Sequence, residues 1–147
     1  MEEIIIQLIS GVIGTVAFAI LFGVNPKNLS LAGIGAAVTC GVYILTASLG
    51  VFLANMIASV AMTLYSEITA RVRKAPVITF LTPAAIVLVP GSSLYYTVAN
   101  LISENNALAY EYGIKTAHTC LGIAAGILGT SLIVNIIVKF YITKKSS

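Results

Sequence analysis

Residues 75–100 read APVITFLTPAAIVLVPGSSLYYTVAN, an uncharged stretch with Pro83 and Pro90-Gly91 in its interior. The stretch is long enough to cross a bilayer, because a hydrocarbon core of about 30 Å takes roughly 20 helical residues. A proline inside a helix removes one backbone N–H and clashes with the preceding turn, and an adjacent glycine eases departure from helical geometry. The stretch is therefore predicted to be a membrane-spanning helix that is broken or kinked at Pro83 and Pro90-Gly91.

The composition of the whole chain is that of an integral membrane protein. Of its 147 residues, 59% are hydrophobic and 9% are charged, and the mean hydropathy is +1.02. Soluble domains have roughly 45–50% apolar and about 25% charged residues. The basic residues lie at the edges of apolar runs, which favours a role in membrane orientation over nucleic-acid binding. We expect a single transmembrane domain over residues 1–147 and no nucleic-acid partner.

The uncharged stretches divide into five predicted spans. The run from Leu29 to Ser66 is too long for one crossing at about 1.5 Å per residue, and Ala47–Gly50 is the most favourable turn within it. The fold class is therefore predicted to be all-α, with five transmembrane helices. Their approximate bounds are 4–22, 29–46, 51–69, 76–101 and 116–140.

The distribution of basic residues orients these spans. Lys and Arg accumulate in the cytoplasmic loops of membrane proteins. With the N-terminus outside and the C-terminus in the cytoplasm, seven of the eight basic residues fall on the cytoplasmic side. The exception is Lys115, in a predicted outer loop that also holds Glu104 and Glu111. We therefore expect a multi-pass protein of the cell membrane, plasma or inner, in that orientation.

The interrupted fourth span is the best candidate for a binding site. In several transporters, half-helix N-termini beside an unwound stretch present free N–H groups to an anionic substrate. A helix that restarts at Ser92 would offer its first amides and the hydroxyls of Ser92 and Ser93. Tyr96 would wall the pocket, and Thr79 and Thr82 would line the inner approach. The predicted substrate-binding residues are Pro90, Gly91, Ser92, Ser93, Tyr96, Thr79 and Thr82. The alternative is a structural kink whose freed carbonyls are satisfied by Ser and Thr side chains.

Two titratable residues are candidates for proton coupling, and each has a plainer interpretation. Glu67 lies four residues before Arg71, a spacing that also suits an i,i+4 ion pair. His118 could titrate near neutral pH, or be a satisfied interfacial histidine. Ser92 or Ser93 with His118 would resemble an intramembrane serine hydrolase, but the glycine that follows the serine in a Gly-x-Ser-Gly arrangement is missing. We therefore expect no enzyme.

Small residues recur at helix-packing spacing, as in Gly122-x-x-x-Gly126 followed by Gly129. Such residues let transmembrane helices approach closely, so ordinary packing within a bundle is the favoured interpretation and a moving interface the alternative. Cys40 and Cys120 both lie in apolar runs and are expected to be small buried hydrophobic residues. Neither a metal site nor a cofactor is predicted.

A basic Arg73-Lys74-Ala75-Pro76 loop leads into the proline-containing run, which is followed by a polar loop and a glycine-rich last span. In this order and length the chain resembles the small, one-domain membrane subunits of the threonine/serine exporter family, most clearly over Arg73–Tyr96. The resemblance implies export of small carboxylate-bearing metabolites. Long members are associated with threonine and serine, and split pairs with a larger partner are associated with succinate. It also implies proton coupling and a site at Pro90, Gly91, Ser92, Ser93 and Tyr96. The Val-Pro-Gly-Ser-Ser core differs from the Phe-Pro-Gly-Ile-Ser type, so the substrate is not carried over.

The odd number of predicted spans is a second reason to expect a partner. Two five-span units joined in tandem are inverted relative to each other, which is how inverted-repeat transporters are built. We therefore expect one subunit of a two-component exporter for amino acids or dicarboxylates, paired with a larger homologous membrane subunit of opposite topology. Self-association is the other arrangement considered. The alternative function is a non-transporting membrane scaffold or accessory subunit.

Overall fold

The computed structural model describes the backbone of residues 2–145 and the side chains of residues 5–140. This part of the chain forms α-helices and two short 3-10 turns, with no strand among the described residues, so the all-α prediction is confirmed. The helices are α1 (Glu2–Leu21), α2 (Pro26–Thr46), α3 (Val51–Arg73), α4 (Ile78–Ala85), α5 (Gly91–Ile102) and α6 (Asn106–Lys145).

The ends of α2 follow from local chemistry. Pro26 is its first residue, and the side chain of Asn25 accepts a hydrogen bond of 3.0 Å from the N–H of Lys27. Proline suits this position because its missing N–H would have no helical partner there. At the other end, a 3-10 turn follows at Ala47–Leu49. Gly50 comes next, with a φ of 93°, and the chain reverses there into α3. The turn predicted at residues 47–50 is thus confirmed.

Helices α4 and α5 form a bent pair. A 3-10 turn over residues 86–88 follows α4, and the two halves of the pair make an angle of 49°. Pro83 lies fully buried inside α4 without ending it, and the helical backbone stops at Val89-Pro90. Gly91 does not have a positive φ, and an added Cβ would meet no atom within 4 Å. Pro90 therefore accounts for the break without a conformation special to glycine.

Helices α3 and α6 make the most extensive helix–helix contact among the described residues. A Cβ added at Gly122 would lie 2.5 Å from the carbonyl oxygen of Phe52, and one at Gly126 would lie 2.5 Å from that of Met56. From Gly122 to Gly126 on α6, the contacted residue on α3 advances from Phe52 to Met56. Both helices therefore run in the same direction. The predicted packing role of Gly122 and Gly126 is therefore confirmed, whereas Gly129 has open space around it.

The turn between α1 and α2 meets the end of α3. Arg73 donates from Nε to Oδ1 of Asn28 at 2.9 Å and from Nη2 to the carbonyl oxygen of Lys27 at 2.8 Å. About two turns from Arg73 on α3, the hydroxyl of Tyr65 donates to the carbonyl oxygen of Leu31 at 2.7 Å. These contacts hold α2 antiparallel to α3. We call the end of the bundle that contains Lys27, Arg71, Arg73 and Lys74 the basic end.

Three helical stretches are long and apolar enough to cross a membrane, namely residues 26–49, 51–73 and 106–140. The bent pair passes the same test when its two halves are taken together, and the described part of α1, Ile5–Leu21, is a shorter apolar helix. Length and composition therefore support three or four spans, compared with the five predicted.

Helix α6 is longer than the predicted fifth span. It has 40 residues and begins at Asn106, ten residues before the predicted start at residue 116. The predicted outer loop over this region was wrong, because only residues 103–105 connect α5 to α6. Glu111 and Lys115 therefore lie on a helix that packs against α5.

Candidate functional site

A cavity of about 190 Å³ lies at the break between α4 and α5. Its lining comes from the break itself and from α1, α2, α3, α5 and α6, so several separate segments of sequence meet there. The lining residues with polar side chains are Gln7, Tyr43, Asn55, Ser92, Ser93, Lys115 and Thr119. We call this space the break cavity.

Helix α5 begins at the break cavity without a side-chain cap. Its first helical bond runs from the N–H of Leu94 to the carbonyl oxygen of Pro90 at 2.9 Å, and the N–H of Gly91 turns back to Val89 at 2.8 Å. The N–H groups of Ser92 and Ser93 have no acceptor within the described part of the chain. Unpaired amides at a helix N-terminus, together with the helix dipole, favour an anionic group.

The same break leaves backbone acceptors unpaired. Because Pro90 has no N–H and Gly91 bonds to Val89, the carbonyl oxygens of Val87 and Leu88 receive no hydrogen bond from described residues. The buried side chain of Asn55 adds another acceptor, since its Nδ2 donates to the carbonyl oxygen of Val51 at 2.7 Å and its Oδ1 has no donor there. The cavity lining therefore offers acceptors for an ammonium or hydroxyl group as well as donors for an anion.

Lys115 is the charged residue of this lining. Glu111 lies one turn earlier on α6, at a spacing that favours an ion pair. Even so, Lys115 is not paired with Glu111 or with any other described carboxylate, whereas Arg71 lies 2.9 Å from Glu67. The ammonium of Lys115 therefore remains available to a ligand in the break cavity.

The structure divides the predicted site residues among three places. Pro90, Ser92 and Ser93 line the break cavity. Thr79 and Thr82 line a different and larger cavity of about 480 Å³ at the basic end, which we call the basic-end cavity. The other two lie outside both linings: Gly91 is exposed beside the break, and Tyr96 is exposed in a cluster of tyrosine rings. The ring centroid of Tyr96 lies 5.5 Å from that of Tyr95 and 5.2 Å from that of Tyr112.

The candidates for proton coupling lie far apart. The carboxylate of Glu67 is buried near the basic end and lies 2.9 Å from Nη2 of Arg71, so the alternative of an i,i+4 ion pair is confirmed. His118 is exposed on α6 and does not line the break cavity with Ser92 and Ser93.

The two cysteines differ from each other in burial. Cys40 is buried on α2, as predicted. Cys120 is exposed on α6, so the prediction that it is buried was wrong. An apolar run shows that a helix is in the membrane, but not which of its faces packs against the bundle.

Sequence reasoning did not identify five of the polar residues that line the break cavity, which are Gln7, Tyr43, Asn55, Lys115 and Thr119. One signal was present nevertheless. Lys115 is the single basic residue that the positive-inside pattern left on the wrong side of the membrane. A lysine that breaks this pattern inside a helical run is a candidate for a functional role, because its position is not explained by orientation.

A family model described as threonine/serine exporter, ThrE, matches residues 7–133 of the chain. The match extends from α1 into α6 and includes the break and every residue that lines the break cavity. No curated protein and no solved structure matches the chain. The family is one of transporters, which is not an enzyme class, and the apolar helices agree with a membrane protein. The chain thus belongs to the threonine/serine exporter family.

Proposed function

We propose that this chain is one membrane subunit of a two-component exporter and that it binds a small carboxylate-bearing solute in the break cavity. The observation that carries the proposal is the presence of unpaired Lys115 in the same cavity as the unpaired amides of Ser92 and Ser93. A cation and a helix N-terminus both stabilise an anion, and a charge-assisted hydrogen bond is about twice as strong as a neutral one. A carboxylate can pair with the ammonium of Lys115 and accept hydrogen bonds from the amides of Ser92 and Ser93.

The size and charge of the cavity favour an amino acid over a dicarboxylate. Its volume of about 190 Å³ is below the roughly 300 Å³ at which pockets for drug-sized ligands begin, so the solute is small. Beside Lys115 the polar lining is neutral, and it includes the free carbonyls of Val87 and Leu88. An ammonium group suits these acceptors, whereas the second carboxylate of succinate would face them unpaired. Threonine and serine therefore rank above succinate.

The directions of the helices support a fourth span that crosses the membrane. Helix α3 ends at the basic end, and α6 runs parallel to α3, so α6 starts at the opposite end of the bundle. The bent pair must then carry the chain from one end to the other, as a broken span does and a re-entrant loop does not. Helix α1 has 20 residues, a length of about 30 Å. Counting it as a crossing, we propose five spans.

The charges support an orientation for this bundle. Lys27, Arg71, Arg73 and Lys74 share the basic end, and α6 finishes on the same side. By the positive-inside rule we assign the basic end to the cytoplasm, with the N-terminus outside. The basic-end cavity then opens towards the cytoplasm, and the break cavity lies towards the outside.

A five-span unit has half of an inverted-repeat architecture, which supports the requirement for a partner. The partner we propose is a larger related subunit of opposite topology. In cells that lack their own exporters of these solutes, co-expression of the chain with a candidate partner should raise the efflux of labelled threonine and serine above that from either subunit alone. Efflux of succinate should rise less. If no solute responds to co-expression, the chain is a scaffold or accessory subunit instead.

Variants of Lys115 test the site separately. We expect Lys115→Gln to lower efflux by about 10- to 100-fold at unchanged membrane abundance, because a hydrogen bond to a charged group contributes roughly 1.5–3 kcal/mol. Lys115→Arg keeps the charge and should retain part of the efflux. Lys27→Gln removes the same charge at the basic end and serves as the matched control, with efflux near that of the unmodified chain. Equal efflux from Lys115→Gln and Lys27→Gln would show that the site is elsewhere.

A further inference from the structure

One face of α1 passes both cavities. Gln7 lines the break cavity and Phe22 lines the basic-end cavity. Between them, Gly11 packs against Val87, with 3.6 Å from an added Cβ to the valine methyl groups. Thr15 is one turn beyond Gly11 on the same face, about 12 Å along the helix from Gln7 and about 10 Å from Phe22. It therefore lies midway between the two cavities.

Helix α4 and its 3-10 turn separate the cavities by one helical turn. Pro83 lines the basic-end cavity and Val87 lines the break cavity, about 6 Å further along the chain. The other side of this segment is held in place, because Ala84 and Leu88 pack with Ala58 and Met62 of α3 in one buried apolar cluster. Pro83 cannot donate to the carbonyl oxygen of Thr79, which makes the helix easier to distort at the turn that leads into this segment.

Thr15 has an unusual hydroxyl. Three threonines are fully buried among the described residues, and two of them donate to the carbonyl oxygen four residues earlier: Thr39 to Gly35 at 2.8 Å and Thr63 to Ser59 at 2.7 Å. Thr15 does not make this bond, and its Oγ1 is the enclosed side-chain polar atom without a partner in the described part of the chain. Leaving a buried hydroxyl unpaired costs about 1–3 kcal/mol. This cost is offset if a ligand forms a hydrogen bond with the hydroxyl when it binds.

We propose that the two cavities are the ends of one substrate route between α1 and α4, closed in this conformation by residues 83–87, and that the hydroxyl of Thr15 contacts the solute as it passes. The inference rests on the proposed export function and adds to it the closed segment of the route and a further substrate-contacting residue. A polar solute needs a polar contact midway, because Gly11 and Val87 offer it no polar side chain there, and Thr15 has the unpaired hydroxyl at that depth.

Thiol labelling tests the route without any transport measurement. In a chain carrying Cys40→Ala and Cys120→Ser, single cysteines at Thr82 and at the exposed Ser92 probe the basic-end cavity and the break cavity. With a membrane-impermeant maleimide and vesicles of known orientation, we expect each cysteine to be labelled from one side only, and the two from opposite sides. Labelling of both from the same side would refute the route. This pattern holds or fails even if the chain exports neither threonine nor serine.

Efflux of labelled threonine from the co-expressed complex tests the role of Thr15. Thr15→Val replaces the unpaired hydroxyl by a methyl group, and Thr39→Val is the matched control at a buried hydroxyl that is already bonded within its own helix. We expect Thr15→Val to lower efflux about two- to tenfold at equal or higher thermal stability. Efflux from Thr39→Val should be near that of the unmodified chain. Thr15→Ser keeps the hydroxyl and should recover the efflux. If Thr15→Val exports normally, or loses efflux only in proportion to its abundance, the contact is refuted. If Lys115→Gln exports normally and Thr15→Val does not, the route stands and the binding site is elsewhere.

Discussion

The contact between α3 and α6 at Gly126 leads to a prediction about stability. A Cβ added there would overlap Oγ of Ser59 and would lie 2.5 Å from the carbonyl oxygen of Met56. The latter distance is about 0.9 Å short of the 3.4 Å at which ordinary contacts begin. Because the Met56 atom is backbone, it cannot rotate away, and α6 has to move off α3 along their most extensive contact. Overpacking of this kind costs about 1–3 kcal/mol, and we expect Gly126→Ala near the upper end of that range.

Gly129 provides a control on the same helix. An added Cβ at Gly129 meets no atom within 4 Å, so Gly129→Ala changes the same chemical group without a clash. Alanine is favoured over glycine inside a helix by about 1 kcal/mol, and this gain applies to both variants and cancels in their comparison. The purified chain can be unfolded by titrating SDS into detergent micelles, with helicity followed by circular dichroism. If Gly126→Ala proves as stable as Gly129→Ala, then α6 does not approach the backbone of α3 as closely as the distance from Gly126 to Met56 requires.

Three further substitutions have defined expectations in the same assays. Tyr65→Phe removes the 2.7 Å hydrogen bond to the carbonyl oxygen of Leu31 and should lower the unfolding free energy by about 0.5–1.5 kcal/mol; no change would mean that this bond does not stabilise the folded chain. Gly91→Ala should leave the unfolding free energy unchanged to within about 0.5 kcal/mol, because the added Cβ meets open space, and a large loss would contradict the described break. Glu67→Gln separates the ion pair with Arg71 and should leave the pH profile of efflux unchanged, whereas a flattened profile would support proton coupling by Glu67.

The order and type of the helices could be predicted because each follows from local rules. The first three predicted spans overlap α1, α2 and α3, and the length of the uncharged run required a turn, for which residues 47–50 were the most favourable place. The break in the fourth stretch followed from proline chemistry, and it falls at Val89-Pro90. Proline at position 83 had a weaker effect than predicted, because α4 continues through it. A proline removes one donor, but packing decides whether the helix ends there.

The lining of the break cavity could be predicted only in part, because most of it is a tertiary arrangement. Pro90, Ser92 and Ser93 are adjacent in sequence and could be identified from the broken pattern, whereas Asn55 and Lys115 come from other helices. Because the residues around Lys115 are charged, their low hydropathy led to the prediction of a loop there. The helix instead continues through them to Asn106, and its packing against α5 brings Lys115 to the start of that helix.

The break cavity has one wall that is tightly packed and a facing wall that has few hydrogen bonds. Gly122 and Gly126 fix α6 against α3, and this same pair of helices carries Lys115 and Asn55 into the break cavity. The facing wall is the break, where consecutive backbone groups lack hydrogen bonds and one helical turn alone separates the two cavities. A solute that binds its carboxylate at Lys115 and its ammonium at the break would therefore draw the weaker wall towards the stronger one. On the proposed route, this makes movement of α4, rather than of the α3–α6 pair, the step that opens the path past Thr15.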